Sequence, residues 1–204
     1  MPNHPVLLWN DFLTKAFSES SSLDAKKRIF KRPDLLDLLD EFLISENTVV
    51  NMFLSITKAV NNQRLKYLRP SPEFWGTPCM FSAIKGQPDA IHCSFDNINL
   101  LKRGEASKIL GIVEIKTDQL ISSLLDEKLD LCEAYNKAST IKDDKTTKFT
   151  KYKKIINVVR QTFGYMVAND LQYGLLTTFI RTWFFYRDSK NPDILYISSA
   201  VRID

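Results

Sequence analysis

Cysteine is scarce in this sequence, and its scarcity argues against two kinds of scaffold. The chain has three cysteines, Cys79, Cys93 and Cys132, which are widely spaced and form no CxxC pair. A disulfide framework needs an even number of cysteines, and a structural zinc site needs them in closely spaced pairs. We therefore expect neither, and we expect a protein of a reducing, intracellular environment.

Long apolar runs are also missing. No stretch approaches the ~20 consecutive apolar residues that a membrane-spanning helix requires. The N-terminus lacks the basic-then-apolar order of a secretory signal. We therefore expect no membrane partner for this chain.

What the sequence does contain is the composition of an ordinary folded domain. Its 204 residues are 44% apolar and 25% charged, which is enough for one hydrophobic core. Lys and Arg number 28 against 24 Asp and Glu, and the pI is near 8.9, a mild preference for a polyanionic partner. The basic cluster at residues 26–33 could be a nuclear import signal, a nucleic-acid patch or a solvated loop.

The first part of the chain has the apolar spacing of helices. Residues 7–18 predict a short leading helix, and a second helix follows Pro33, a residue that suits a first helical turn. A third helix begins near Ser45, where hydroxyl side chains can cap it. We assign residues 1–45 to a helical N-terminal extension and residues 46–203 to the core of a single domain.

From Pro70 the pattern changes to short β-prone runs between turn residues. Residues 79–83 and 88–95 flank a turn and predict a hairpin. Residues 109–117 are almost continuously apolar and β-branched, which is typical of a strand covered on both faces. A sheet therefore begins in this part of the chain.

The remainder of the chain completes the predicted sheet. Residues 136–154 contain seven lysines and little apolar content, which predicts a lysine-rich loop. Residues 155–171 then predict a helix, and residues 175–187 and 194–203 predict strands. The order is αβββαβ, an α/β domain with a central mixed sheet flanked by helices. The last strand runs almost to the final residue, which suggests a domain of a longer protein.

The candidate chemistry lies on two neighbouring predicted strands. Asp89 follows Pro88 on one strand, and Glu114 and Lys116, two residues apart on the next, share a face. Buried charges of this kind need a partner, hydrogen bonds or a metal ion. Mg²⁺ prefers carboxylates, a carbonyl and waters, which Asp89, Glu114 and the Ile115 carbonyl could supply. Lys116 would orient the attacking water or help it lose a proton.

Each of these motifs also has a simpler interpretation. A Glu-x-Lys pair is common on exposed strands, and an aspartate after proline is often a turn residue. Their combination on adjacent strands is what indicates a metal site. On the following helix, Gln161 and Tyr165 share a face and could hold metal-bound waters or a phosphate, or could be a polar pair bonded to the backbone. The basic residues that could bind phosphates are Arg160, Lys151, Lys153 and Lys154.

The series Gly86-Gln87-Pro88-Asp89, Glu114-Ile115-Lys116 and Gln161-x-x-x-Tyr165 resembles the PD-(D/E)XK nuclease superfamily, in its RecB-like branch, over residues 46–203. The resemblance implies a restriction endonuclease-like fold and a Mg²⁺- or Mn²⁺-dependent endo- or exodeoxyribonuclease, with DNA a better candidate than RNA. It also implies that the two acidic residues are metal ligands, that the lysine is catalytic, and that the glutamine and tyrosine support them.

Many members of this superfamily add a glutamate from the first core helix. Glu46 is the best candidate for this role, and Glu41 is the alternative. Nucleases of this fold often pair to cut both strands, so a homodimer is a further expectation.

Residues 174–184 are similar to nuclease-like domains of fungal Crinkler-type proteins, which often precede a kinase-like domain. Because fold does not fix function, two alternatives stay open. One is a catalytically silent module that binds nucleic acid, and the other is an adaptor for a kinase-like domain.

Overall fold

The computed structural model describes residues 5–15, 45–65, 73–125, 130–140 and 147–202. These residues form an α/β fold around one mixed sheet of eight strands. Within them, no helix is long and apolar enough to cross a membrane.

The strands and helices have the following bounds. The strands are β1 (Val6–Leu8), β2 (Glu73–Gly76), β3 (Ala90–Ser94), β4 (Lys108–Ile115), β5 (Tyr173–Thr177), β6 (Arg181–Arg187), β7 (Leu195–Ile197) and β8 (Val201–Arg202). The helices are α1 (Glu46–Leu65), α2 (Ile98–Arg103), α3 (Asp118–Leu125), α4 (Leu131–Thr140) and α5 (Thr147–Ala168), and a 3-10 turn spans Pro78–Met80.

The sheet order is β1-β7-β6-β5-β4-β3-β2, with β8 paired to β6. Strands β2, β3 and β4 form an antiparallel meander, and β5 lies parallel to β4. Parallel neighbours need a crossover connection, and α5 supplies it, packing on β4 and β5. The C-terminal ends of β4 and β5 therefore meet at one edge of the sheet.

Strand β4 is buried on both faces, as its continuous apolar sequence predicts. On one face, Val113 and Ile115 pack with Val49 of α1. On the other face, Ile112 belongs to a core cluster with Phe163 of α5. The strand that carries the candidate residues is thus held from both sides.

The predicted hairpin of residues 79–83 with 88–95 is wrong in its first strand. Strand β3 pairs instead with Glu73–Gly76, where exposed and buried side chains alternate as in a half-buried strand. Residues 78–80 form a helical turn, because Pro78 at its start has the fixed backbone angle that favours one.

The predicted lysine-rich loop over residues 136–154 is also wrong in the described part of the chain. Residues 136–140 complete α4, and residues 147–154 begin α5; the segment between them lies outside the described residues. Tyr152, Ile155 and Val159 are buried at helical spacing. Lysine is a good helix former, so the lysine-rich composition is compatible with an amphipathic helix.

The predicted strand over residues 175–187 is two strands joined by a turn. Residue Thr178 donates its N–H to the carbonyl of Arg181, and Phe179 adopts a positive φ of 73°. The Thr177 hydroxyl accepts the Phe179 N–H at 3.0 Å, which stabilises the turn without glycine or proline. The predicted strand over residues 194–203 is likewise divided into β7 and β8.

The N-terminal extension also differs from its prediction. Residues 6–8 form β1, parallel to β7, and only residues 12–15 are helical among those described before residue 16. The predicted helix after Pro33, the basic cluster and Glu41 lie outside the described residues. The third helix begins as predicted, with the Ser45 hydroxyl accepting the Thr48 N–H at 3.3 Å.

Candidate active site

Charged side chains from three elements meet at the C-terminal end of β4. The Lys116 Nζ atom lies 2.6 Å from Glu114 Oε1 and 3.1 Å from Glu46 Oε1. Glu46 is the first residue of α1, so a negative charge there is favoured by the positive end of the helix dipole. The side chain of Glu114 is only 1% exposed, whereas that of Glu46 is 47% exposed. The lysine therefore joins a buried carboxylate to an accessible one.

Asp89 is fixed at the same place by β4 itself. Its N–H donates to the Val113 carbonyl at 3.1 Å, and its Oδ2 accepts the Ile115 N–H at 2.7 Å. The last ladder pair between β3 and β4 at this end is Ala90 with Val113. The Asp89 carboxylate thus takes the place of a main-chain acceptor just beyond the ladder. This bond also fixes the backbone of Ile115, the residue predicted to offer its carbonyl to a metal.

The cluster has more negative than positive groups. Burial raises the pKa of Glu114 to about 7, against the hydrogen bond from Lys116 and together with repulsion from Asp89 and Glu46. Burial also raises the pKa of Asp89, although the Ile115 N–H and Lys116 oppose it. For Lys116, burial lowers the pKa, but the bonds to Glu114 and Glu46 outweigh it and the net shift is upward. Burial and mutual repulsion therefore both disfavour the charged forms of these two carboxylates.

One oxygen of Glu114 has no hydrogen-bond partner in the described part of the chain. Its Oε2 is buried and accepts no hydrogen bond from the described residues. An unsatisfied buried carboxylate oxygen is costly, and a cation with its waters is one way to satisfy it. The Glu114 side chain thus has one oxygen committed to Lys116 and one oxygen available for a ligand.

The donors fit a magnesium ion better than a metal that needs a complete protein cage. Among the described residues there is no group of three or more His, Cys, Asp or Glu side chains placed to hold a metal. Mg²⁺ commonly takes only one or two carboxylates from the protein, and waters and substrate phosphates complete its coordination. Asp89 and Glu114 could supply such a pair, with the Ile115 carbonyl as the third protein ligand predicted from the sequence.

The helix motif lies against the loop that leads to Asp89. Gln161 Nε2 donates to the Tyr165 hydroxyl at 3.2 Å, so the two side chains of the motif are bonded to each other. The Tyr165 ring packs on Gly86, where an added Cβ would lie 2.5 Å from Cε1 of the ring. Gly86 also has a positive φ of 88°, which favours glycine. Tyr165 therefore contributes to the position of this loop.

The predicted phosphate-binding residues lie before Gln161, toward the N-terminal end of α5. Arg160 is half-buried, and Lys153 and Lys154 are exposed. At a rise of ~1.5 Å per residue, Lys154 lies about two turns, or ~10 Å, before Gln161. The side chain of Lys151 lies outside the described residues.

Two groups of residues escaped the sequence prediction. Beside Lys116, at the same sheet edge, Asp118 accepts the Thr178 hydroxyl at 3.0 Å and lies 3.8 Å from Arg181 Nε. At the end of α5, Asn169 bonds to the backbone of Lys85. Asn169 continues the series of Gln161 and Tyr165 by one more helical turn, and this spacing is the signal that could have revealed it.

Comparisons with known proteins give no family to which this chain can be assigned. No protein-family model matches the sequence, and neither the curated proteins nor the solved structures compared with it give a match. A function for this chain is therefore proposed from the geometry of the site.

Proposed function

We propose that this chain is a metal-dependent nuclease that hydrolyses phosphodiester bonds, with DNA as substrate and Mg²⁺ or Mn²⁺ as cofactor. The single observation that carries the proposal is the charge balance at the end of β4. The ammonium of Lys116 is bonded to Glu114 and Glu46, Asp89 adds a third negative charge that acts on both Glu114 and Lys116, and Glu114 Oε2 is buried without a partner among the described residues. A divalent cation would correct both the excess charge and the unsatisfied oxygen.

The order of the elements supports a restriction endonuclease-like core for the proposed enzyme. Helix α1 precedes the meander of β2, β3 and β4, and α5 leads into β5, parallel to β4. This is the αβββαβ order that the resemblance implies, with α2, α3 and α4 inserted between its members. The remaining strands extend the sheet beyond β5.

The roles of the residues follow from their contacts. A bound Mg²⁺ would polarise the scissile phosphate and lower the pKa of a bound water. Asp89 and Glu114 would hold the ion through carboxylate oxygens. Lys116 keeps its proton, because its hydrogen bonds to Glu114 and Glu46 raise its pKa. It would therefore act as a cation toward the phosphate and the water. Glu46 holds the ammonium from its accessible side.

A specific contact favours a second candidate function. Lys116 already neutralises Glu114 through a bond of 2.6 Å, and a permanently formed ion pair would leave the carboxylate unable to bind a metal. The domain would then be a nuclease-fold module that binds nucleic acid without cutting it, or an adaptor for a kinase-like domain. Metal-dependent cleavage separates this candidate from the first.

The test is cleavage of plasmid and linear DNA by the purified chain in Mg²⁺ and in Mn²⁺. We expect nicking that EDTA abolishes and that Asp89→Asn and Lys116→Met remove. Lys108→Ala is the matched control, since Lys108 is an exposed lysine at the opposite end of the same strand. Activity that survives both site variants would reject the assigned site, and binding to DNA without any nicking would favour the second candidate.

A further inference from the structure

The loop before Asp89 is hydrogen-bonded to the end of α5 through the side chain of Asn169. Asn169 Oδ1 accepts the Lys85 N–H at 2.8 Å, and Asn169 Nδ2 donates to the Lys85 carbonyl at 2.8 Å. The same Nδ2 donates to the Tyr165 carbonyl at 2.8 Å. A single amide therefore bonds both main-chain groups of Lys85 and fixes its own position on the helix.

Only asparagine fits this set of bonds at this size. The amide has one acceptor oxygen and two N–H donors, and the contacts use the oxygen once and both donors. Aspartate has the same shape but no donor, so it would place a carboxylate against two carbonyl oxygens. Alanine would leave both main-chain groups of Lys85 to water, whereas the Tyr165 carbonyl would still accept the main-chain N–H of residue 169. The contact thus requires the donors and the acceptor of the Asn169 amide, and a side chain of the same size without them cannot replace it.

The attachment continues along the loop to the proposed site. Tyr165 packs on Gly86, the residue after Lys85, and Pro88 is buried immediately before Asp89. Asp89 then bonds the Ile115 N–H. Asn169 and Tyr165 hold the start of this short segment, and β4 holds its end.

We infer that Asn169 is a positioning residue that holds the Lys85–Pro88 loop on α5 and thereby fixes the carboxylate of Asp89 against Ile115. This inference rests on the proposed function, because the position of Asp89 matters for catalysis only if Asp89 is a ligand. Residues that orient a metal ligand commonly change metal affinity or activity by about 10–100-fold when they are replaced.

The first measurement does not depend on activity. In an assigned amide spectrum of the metal-free protein, the Ile115 N–H reports its bond to Asp89. We expect Asn169→Ala to shift the amide resonances of Lys85, Gly86 and Ile115 together, with Ile115 moving toward its position in Asp89→Ala, which lacks the accepting oxygen. Asn169→Asp should act like Asn169→Ala despite its shape. Asn157→Ala is the matched control, since Asn157 is an exposed asparagine of the same helix.

The second measurement is the metal dependence of DNA cleavage. We expect Asn169→Ala to raise the Mg²⁺ concentration for half-maximal cleavage about tenfold, with a smaller loss of rate at saturating Mg²⁺. A purely structural role would lower the melting temperature without that change.

The two measurements separate the inference from the proposed function. An Ile115 resonance that stays in place in a folded Asn169→Ala protein would overturn the inference, whatever the enzyme does. If the wild-type chain never cleaves DNA, but the Ile115 resonance moves as expected in Asn169→Ala, the positioning of Asp89 is sustained and the nuclease proposal is rejected.

Discussion

Two ion pairs of this protein have the same length but different surroundings. Lys116 lies 2.6 Å from Glu114 at one end of the sheet, and Arg187 lies 2.6 Å from Asp170 near the other. The Asp170 side chain is 93% exposed, so water shares its charge, whereas the Glu114 side chain is 1% exposed. Both pairs also leave one buried atom without a hydrogen bond among the described residues, Glu114 Oε2 and Arg187 Nε.

The two pairs therefore differ in the number of acidic groups near the cation. The acidic partner of Arg187 among the described residues is the exposed Asp170, and the pair joins the end of β6 to the turn after α5. Lys116 faces Glu114, Glu46 and Asp89, which repel one another. An unsatisfied atom alone does not mark a site, so the proposed cation site rests on an unsatisfied carboxylate oxygen that lies among mutually repelling carboxylates.

The largest expected difference between the two pairs is in catalysis. Asp89→Asn should lower the rate of DNA cleavage by about 10²–10³-fold, because a carboxylate that holds the cation is lost. Asp170→Asn should leave the rate unchanged. Single-turnover cleavage of a labelled duplex measures both. Equal losses in the two variants would remove the distinction between the pairs.

The next difference is in the pH dependence of metal binding. The pKa of Glu114 is raised to about 7, so below that pH a cation must displace a proton from the carboxyl. The affinity for Mg²⁺ should fall about tenfold for each pH unit below 7. Calorimetric titrations between pH 5.5 and 8 measure it, values chosen to span about one unit or more on each side of the raised pKa. Asp170→Asn should follow the wild-type curve, and a flat curve for the wild type would contradict the role of Glu114.

A smaller effect is expected on stability without metal. A carboxyl whose pKa is higher in the folded state contributes stability below its unfolded pKa of 4.5, and that stability is lost as the pH rises through about 7. The free energy of unfolding of the wild type minus that of Glu114→Gln should therefore decrease from pH 4.5 to 8, by at most about 3 kcal/mol. Urea denaturation at both pH values measures it. If this difference in the free energy of unfolding instead increased with pH, the ion pair with Lys116 would outweigh the burial of Glu114 and lower the pKa of its carboxyl.

The smallest effect is expected from Asp170→Asn. The partner of Arg187 is exposed, so its removal should cost less than about 1 kcal/mol, and salt should reduce that cost further. Asparagine also tolerates the positive φ of 50° at this position, so the backbone is not strained. Urea denaturation at low and high salt is the measurement. A cost near that of a broken buried pair, about 3–5 kcal/mol, would make the two pairs alike.

The sequence was sufficient for the parts of the site that depend on local geometry. The alternation of a strand implies that Glu114 and Lys116 share a face, and they are in contact. Asp89 was expected on the neighbouring strand, and it bonds β4 even though the predicted hairpin had the wrong first strand. Glu46, which only the family resemblance suggested, contacts Lys116 from 70 residues away.

The errors have physical causes in each case. The lysines before Ile155 concealed a buried helical stripe, because their charge dominates the local composition. The turn at Thr178 has no glycine or proline to indicate it in the sequence, because the Thr177 hydroxyl stabilises it instead. Asn169 and Lys85 are 84 residues apart, so no local pattern relates them. Contacts of this kind depend on tertiary packing.

The most direct test of the central claim is the binding of Mn²⁺, a paramagnetic substitute for Mg²⁺, followed by electron paramagnetic resonance with and without a DNA duplex. The structure leads us to expect one bound ion per chain, more tightly held when phosphates are present, and lost in Asp89→Asn and Glu114→Gln but kept in Asp170→Asn. Wild-type protein that binds no Mn²⁺ even with DNA, or that binds it equally well without Asp89, would contradict a metal site at the end of β4.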